Sequence, residues 1–340
     1  METKVKKTTI VIAVLSILAI ICMYLDLSWV TGRELYTPNE VIDTILGGGT
    51  LVSQSIILDT NAPRVAIGIF VGMGLAIAGC AMQAVFRNPL ASPYILGLSS
   101  GASVGAAVSM LVTIPLIPMG IVTPVLAFVT CFLTMIIVYS MSRIGGSVRT
   151  ESLILSGVAV SSLLSAIVSF LTYIAGDKLE GIVFWTMGNL SNADWAEIGF
   201  IAPIILMCGI FLVTQAKGLN AMMLGDVHAL DLGIDVKKTR LFVLILATII
   251  VASAVSFTGV IGFIGLVIPH ILRIILGPDN RVIMPLSMFA GASFVLICDF
   301  ISHIIIPAHG TLPIGVVTAL IGAPVFIYLL ISKKKEVGWN

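Results

Sequence analysis

The chain has 340 residues, 58% of them hydrophobic and 10% charged, with a mean hydropathy of +1.14. So few charges cannot cover a soluble globule of this size, so the chain is solvated by lipid. A formal net charge of +1, with no basic stripe beyond short clusters flanking apolar runs, excludes nucleic acid as a partner.

The amino terminus opens on Lys4-Val5-Lys6-Lys7 and runs into an apolar stretch at 8–27. No small-x-small cleavage pattern precedes Trp29, so this stretch reads as a retained signal-anchor helix. The polar stretch 28–61 follows. Within it, Thr37-Pro38-Asn39-Glu40 has the form of a helix start, predicting a short amphipathic helix on the membrane surface.

The next span, 62–86, carries Gly68, Gly72 and Gly79 and empties into the hairpin Arg87-Asn88-Pro89-Leu90-Ala91-Ser92-Pro93. Apolar sequence resumes at 94–112, with Gly97, Gly101 and Gly105, and both glycine series include the small-xxx-small spacing that lets helix backbones approach. Further spans fall at 119–141, 152–175 and 197–216, then at 240–257, 259–276, 282–306 and 313–332. The division at 256–262 is a glycine-bearing break and not a polar loop, so 240–276 reads either as two spans or as a span with a re-entrant piece.

Ten crossings with a cytoplasmic amino terminus leave only Arg33, Arg64 and Lys178 of the 18 Lys and Arg outside. That bias puts both termini in the cytoplasm. The whole chain, 1–340, is then one all-α polytopic domain with no soluble module. All five cysteines lie within spans, which suggests buried apolar packing and no disulfide framework.

The inner stretch 217–239 carries Leu224, Val227, Leu230 and Ile234 at helical spacing beside Asp226, His228 and Asp231. Gly225, Ala229 and Gly233 repeat every four positions and would lay a flat groove for another protein to pack on. Periodicity alone leaves open an inert membrane-surface helix. Catalytic patterns such as HExxH and the P-loop are absent, and four histidines in all, with His270 and His303 on different faces of the membrane, do not make a metal cluster. The chain is therefore read as a non-enzyme without a nucleotide site of its own. Asp299 is the one acid deep in a span, with His303 one turn beyond it. Left unpaired in hydrocarbon it would cost about 3 kcal/mol or more, so it either braces a neighbouring helix or relays an ion.

Several strings resemble the FecCD family of ABC importer permeases, which serve iron-siderophore complexes, haem and vitamin B12. They are Ala62-Pro63-Arg64-Val65-Ala66, Gly79-Cys80-Ala81-Met82-Gln83-Ala84, the hairpin with Tyr94-Ile95-Leu96-Gly97, and Leu155-Ser156-Gly157-Val158-Ala159. Phe184-Trp185-Thr186-Met187-Gly188, the block from Gly262 through Pro269-His270 to Arg273, Leu312-Pro313-Ile314-Gly315 and Gly322-Ala323-Pro324 follow in family order.

The resemblance implies a vitamin B12 permease-like bundle of ten helices in the cell (inner) membrane. It implies a second permease subunit, identical or nearly so, two cytoplasmic ATPases that hold the ATP and Mg, and an external substrate-binding protein. The cargo would be an iron(III) chelate (siderophore or haem) or cobalamin. The segment 224–233 resembles the coupling helices that seat in the ATPase, assigning Leu224, Gly225, Ala229 and Gly233 to that contact. Asn88, Leu90 and Thr150 resemble the cytoplasmic gate. Arg64, Asn61 and His303 occupy positions the family uses for docking the binding protein, although Asn61 and His303 stand where arginine is usual. The alternative is a secondary transporter that couples an ion through Asp299.

Overall fold

The computed structural model describes residues 2–30, 35–112, 118–144, 147–305 and 311–337. Arg33, one of the cations assigned to the outside, lies outside the described residues. The described residues are mostly helical, with a two-stranded hairpin that pairs Arg143 with Val148 and Ile144 with Ser147.

In chain order the helices are α1 (Glu2–Ser28), α2 (Pro38–Ile45), α3 (Leu51–Gln54), α4 (Ala62–Phe86), α5 (Leu98–Leu111), α6 (Met119–Met141), α7 (Thr150–Tyr173) and α8 (Leu179–Thr186). They continue with α9 (Trp195–Thr214), α10 (Ala216–Met223), α11 (Asp226–Asp231), α12 (Val236–Thr258), α13 (Ile264–Leu276), α14 (Asn280–Ile304) and α15 (Ile314–Val337). Seven membrane-length apolar helices are present among the described residues, and α5, α13 and the Ile314–Leu329 part of α15 add three shorter apolar stretches, which together give the ten expected segments. At 13 residues, α13 rises only about 20 Å and is too short to cross a hydrocarbon core of about 30 Å alone. It is nonetheless a separate helix: Gly259 and Phe263 both take left-handed φ, breaking the chain between α12 and α13.

Local chemistry accounts for the ends. Thr37 and Glu40 form a reciprocal capping box at the start of α2, as the Thr-Pro-x-Glu pattern predicts. Asp194, Asp235 and Asp279 each accept a backbone N–H at the start of α9, α12 and α14. The chain enters α4 through a π-helical stretch, Ser55–Asn61, so the helical path runs unbroken from Leu51 to Phe86.

Helix α4 is the axis of the molecule, buried along nearly its whole length and surrounded by α9, α12, α13 and α14. Close approach of backbones makes this possible. A Cβ on Gly72 would strike the carbonyl of Gly291, one on Gly291 would strike that of Gly72, and one on Gly79 would run into Gly265. Such contacts replace the missing hydrophobic drive between helices in lipid with close van der Waals packing. On the other side of the core, Gly101 and Gly105 of α5 lie against Thr130, Thr134 and Leu126 of α6. All five cysteines are free and buried.

Candidate functional site

Helix α4 ends where Arg87 turns left-handed (φ 51°, ψ 32°), a conformation that a long side chain adopts rarely. The chain then enters the hairpin, where the Asn88 side-chain oxygen accepts the Leu90 N–H at 2.9 Å. Asn88 therefore builds an Asx turn, and Leu90 is presented half-buried at its tip. Thr150 is the first residue of α7, directly after the two-stranded hairpin, and is also half-buried.

The 224–233 segment contains only one short helix, α11, and its faces differ from the sequence expectation. Leu224, Val227, Leu230 and Leu232 are 59–71% exposed, whereas Ala229 is fully buried. Gly225 and Gly233 take φ of +128° and +79°, and a Cβ on Gly233 would meet nothing within 4 Å. The small residues therefore do not form an outward groove. The glycines supply the positive-φ turns that enter and leave α11, Ala229 packs inward, and the outward face is made of leucine and valine.

A charged cluster joins this segment to its surroundings. Asp226 accepts two hydrogen bonds from Arg240 Nη2, at 3.1 and 3.0 Å, and lies 3.5 Å from Arg87 Nη2. Arg240, buried in α12, donates its other arm to the Val148 carbonyl at 2.7 Å. Nearby, Asp279 accepts from Arg281 and from Asn220 of α10, and Asn220 in turn accepts the Asn280 N–H. The hydrogen bonds from Arg281, followed by that from Asn220, hold the Asp279 carboxyl well below the usual carboxylate range.

At the opposite end the three residues expected to dock a binding protein are all buried. Arg64 donates to Asp299 from Nε (2.8 and 3.1 Å) and Nη2 (2.8 Å), and is 8% exposed. Asn61 donates to the carbonyls of Leu27 and Trp29, both at 2.9 Å, and ties the end of α1 to the start of α4. His303 Nε2 stands 3.7 Å from Asp299 Oδ2, and its ring packs against Trp29. These side chains brace α1, α4 and α14 internally, where the sequence reading placed them as groups for docking a binding protein. The reason is electrostatic. A buried Asp299 needs a cation, and Arg64 is the cation that reaches it. Asp26, Asp299 and His303 converge within 4.8 Å, but both Asp299 oxygens are engaged by Arg64, while neither Asp26 oxygen has a hydrogen-bond partner.

Sequence reading missed Arg87, Asp226 and Arg240 as a group. Asp226 and Arg240 are 14 residues apart across a turn, and nothing in their spacing marks them as partners.

The profile of the FecCD transport family matches residues 11–332. The chain belongs to the FecCD transport family. It is a permease subunit of an ABC importer of this type, a multi-pass transport component and not an enzyme. It is 39% identical over 279 residues to the cobalamin import permease BtuC of Halobacterium salinarum, covering 82% of this chain and 74% of that protein. It is 37% identical over 282 residues to the hemin transport permease HmuU of Yersinia pestis, covering 82% and 84%. The molybdate import permease MolB of Haemophilus influenzae is 35% identical over 291 residues, covering 85% and 84%. A solved metal-chelate type ABC transporter in an inward-facing conformation superposes with a TM-score of 0.80 at 30% identity, over 95% of this chain and 99% of that one.

Proposed function

We propose that this permease subunit carries a bulky metal chelate (a ferric chelate, haem or a corrinoid) into the cytoplasm. ATP and Mg would be bound by two partner ATPase subunits. A second, identical permease subunit would complete the channel, an external binding protein would deliver the cargo, and both termini would be cytoplasmic.

The observation that carries this reading is the exposed apolar face of Leu224, Val227, Leu230 and Leu232. It lies in a connection between spans, and an apolar patch of that kind marks a contact surface for another protein. An ATPase cleft is the partner that the family supplies for it. Helix α7 adds support: only 17% of its apolar stretch is buried, and Ala159, Ser162, Ser165, Ala166 and Ser169 are exposed along it. Leu155, Val158, Leu163 and Phe170 are exposed among them, so the wall mixes small, hydroxyl and apolar side chains and offers a large cargo few polar groups to bind. Affinity would then reside in the binding protein, consistent with relatives named for cobalamin, hemin and molybdate.

An ion-coupled carrier working through Asp299 fits less well, because Arg64 already engages both oxygens of that carboxylate. The test is uptake into proteoliposomes containing the permease and its ATPase, with ferric chelate, haem and cobalamin compared in the presence of a candidate binding protein. Uptake of one cargo that requires both ATP and the binding protein is expected. Uptake without ATP, driven by an ion gradient and lost in Asp299→Asn, would replace the importer with the carrier.

A further inference from the structure

A push on the coupling segment can reach the gate residues through side chains that bridge the two. Two such links are present, and both end on one carboxylate. Arg87, 3.5 Å from Asp226, immediately precedes the Asn88–Leu90 turn. Arg240 holds Asp226 with one arm and the Val148 carbonyl with the other, two residues before Thr150. Asp226 is itself the first residue of α11, the helix that presents Val227 and Leu230 to the partner.

The two links differ in character. The side chains of Arg87 and Asp226 are each 39% exposed and meet at the longer distance, so this contact is screened by water and easily exchanged. Arg240 is 7% exposed and donates from Nη2 to both Asp226 oxygens at 3.0–3.1 Å, so its link is shorter and better shielded from water. A guanidinium suits this post, because its planar fork can hold a carboxylate and a carbonyl at once, which a lysine ammonium cannot do in the same geometry.

We propose that Asp226 is the shared anion through which the coupling segment moves both gate elements. Arg240 carries its displacement to the strand leading into Thr150, and Arg87 carries it to the hairpin bearing Leu90. Asp226, Arg87 and Arg240 are positioning residues: none needs to touch cargo or nucleotide. The two links give concerted motion, since one displaced carboxylate pulls on two segments that lie far apart in the chain. This inference rests on the reading of 224–233 as the ATPase contact.

The test uses the assembled permease–ATPase complex in proteoliposomes, with single cysteines introduced at Leu90→Cys and Thr150→Cys. The five native cysteines are buried, so a polar thiol reagent reports the introduced ones. Three quantities are measured: co-purification of the ATPase, cargo transported per ATP hydrolysed, and the change in labelling of each cysteine on adding nucleotide. Asp226→Asn is expected to retain the ATPase, to lower transport per ATP at least tenfold, and to abolish the nucleotide-dependent change at both cysteines. Asp226→Glu, which keeps the charge, is expected to restore both. Arg87→Gln is expected to abolish the response at Leu90→Cys alone, and Arg240→Lys to weaken the response at Thr150→Cys.

Unchanged coupling and labelling in Asp226→Asn would overturn the relay, as would unchanged labelling at both positions in Arg87→Gln and Arg240→Lys. Loss of ATPase binding in Asp226→Asn would also overturn it, by making Asp226 a docking residue. Failure of the underlying ATPase-contact reading shows separately, as an ATPase that still co-purifies when Leu230 is replaced by arginine.

Discussion

Arg64 and Asp299 close a buried ion pair across 235 residues of sequence, with three hydrogen bonds of 2.8–3.1 Å joining the first turn of α4 to the last turns of α14. Both side chains are less than a tenth exposed. Removing one partner leaves the other charge uncompensated in a low-dielectric site, which costs about 3–5 kcal/mol. Arg64→Leu and Asp299→Leu should each lower the thermal unfolding temperature in detergent sharply, while the double variant recovers a large part of the loss. Additive losses in the double variant would show that the pair does not act as a unit.

Asp26 stands beside this pair without sharing in it. It is 3% exposed and neither carboxylate oxygen has a hydrogen-bond partner. A buried acceptor without a partner costs about 1–3 kcal/mol, and more if charged. Asp26→Leu, which removes both unpartnered oxygens at similar size, should therefore raise the unfolding temperature, the opposite sign to Asp299→Leu. The same detergent melt on the two variants decides it, and a drop in both would make Asp26 a working member of the cluster.

The partner surface separates cleanly from the turns that carry it. Val227 and Leu230 are exposed side chains, so Leu230→Arg should abolish ATPase co-purification while shifting the permease melt little, since exposed substitutions away from special features stay within about 0.5 kcal/mol. Gly233 is different: its φ of +79° strains any L side chain although the space around it is open. Gly233→Ala should cost about 1 kcal/mol through the backbone and still bind the ATPase. If Gly233→Ala released the ATPase at unchanged stability, the glycine would be part of the contact surface after all.

What could be read from the chain follows the range of each interaction. The span 62–86 was legible to the residue, because apolar length is a local property, and α2 because Thr37 and Glu40 are three residues apart. Other ends shifted by two to five residues where a capping aspartate or a left-handed residue such as Phe263 set the boundary. The glycines of α4 announced close packing, but not that Gly72 would meet Gly291 or Gly79 meet Gly265. The fourfold spacing of Gly225, Ala229 and Gly233 suggested a groove because spacing assumes a continuous helix. The chain turns at both glycines instead, so the three residues do not share a face. Arg64 and Asn61 looked like outer-surface groups because the charge count put that end of the span outside. Their burial depends on α1 and α14 folding over them, which no local pattern records.

Asp279 gives the molecule an acid-sensitive brace between α10 and α14. Its carboxylate accepts from the Arg281 side chain at 2.8–3.2 Å and from Asn220 at 2.8 Å, and these bonds favour the charged form, so its folded pKa lies below the unfolded value of about 3.9. The sign follows from proton binding: below about pH 4 the unfolded chain takes up the proton more readily than the folded one. The stabilisation is therefore complete at neutral pH and is lost as pH falls through the folded value. Arg281 is 60% exposed, so water screens its share of the pairing and the effect is modest. Asp279→Asn should melt below the wild type at pH 7, and the gap should narrow as pH is lowered from 5 toward 3. A gap that stays constant over that range would assign the loss to the Asn220 and backbone hydrogen-bond geometry and not to the charge of Asp279.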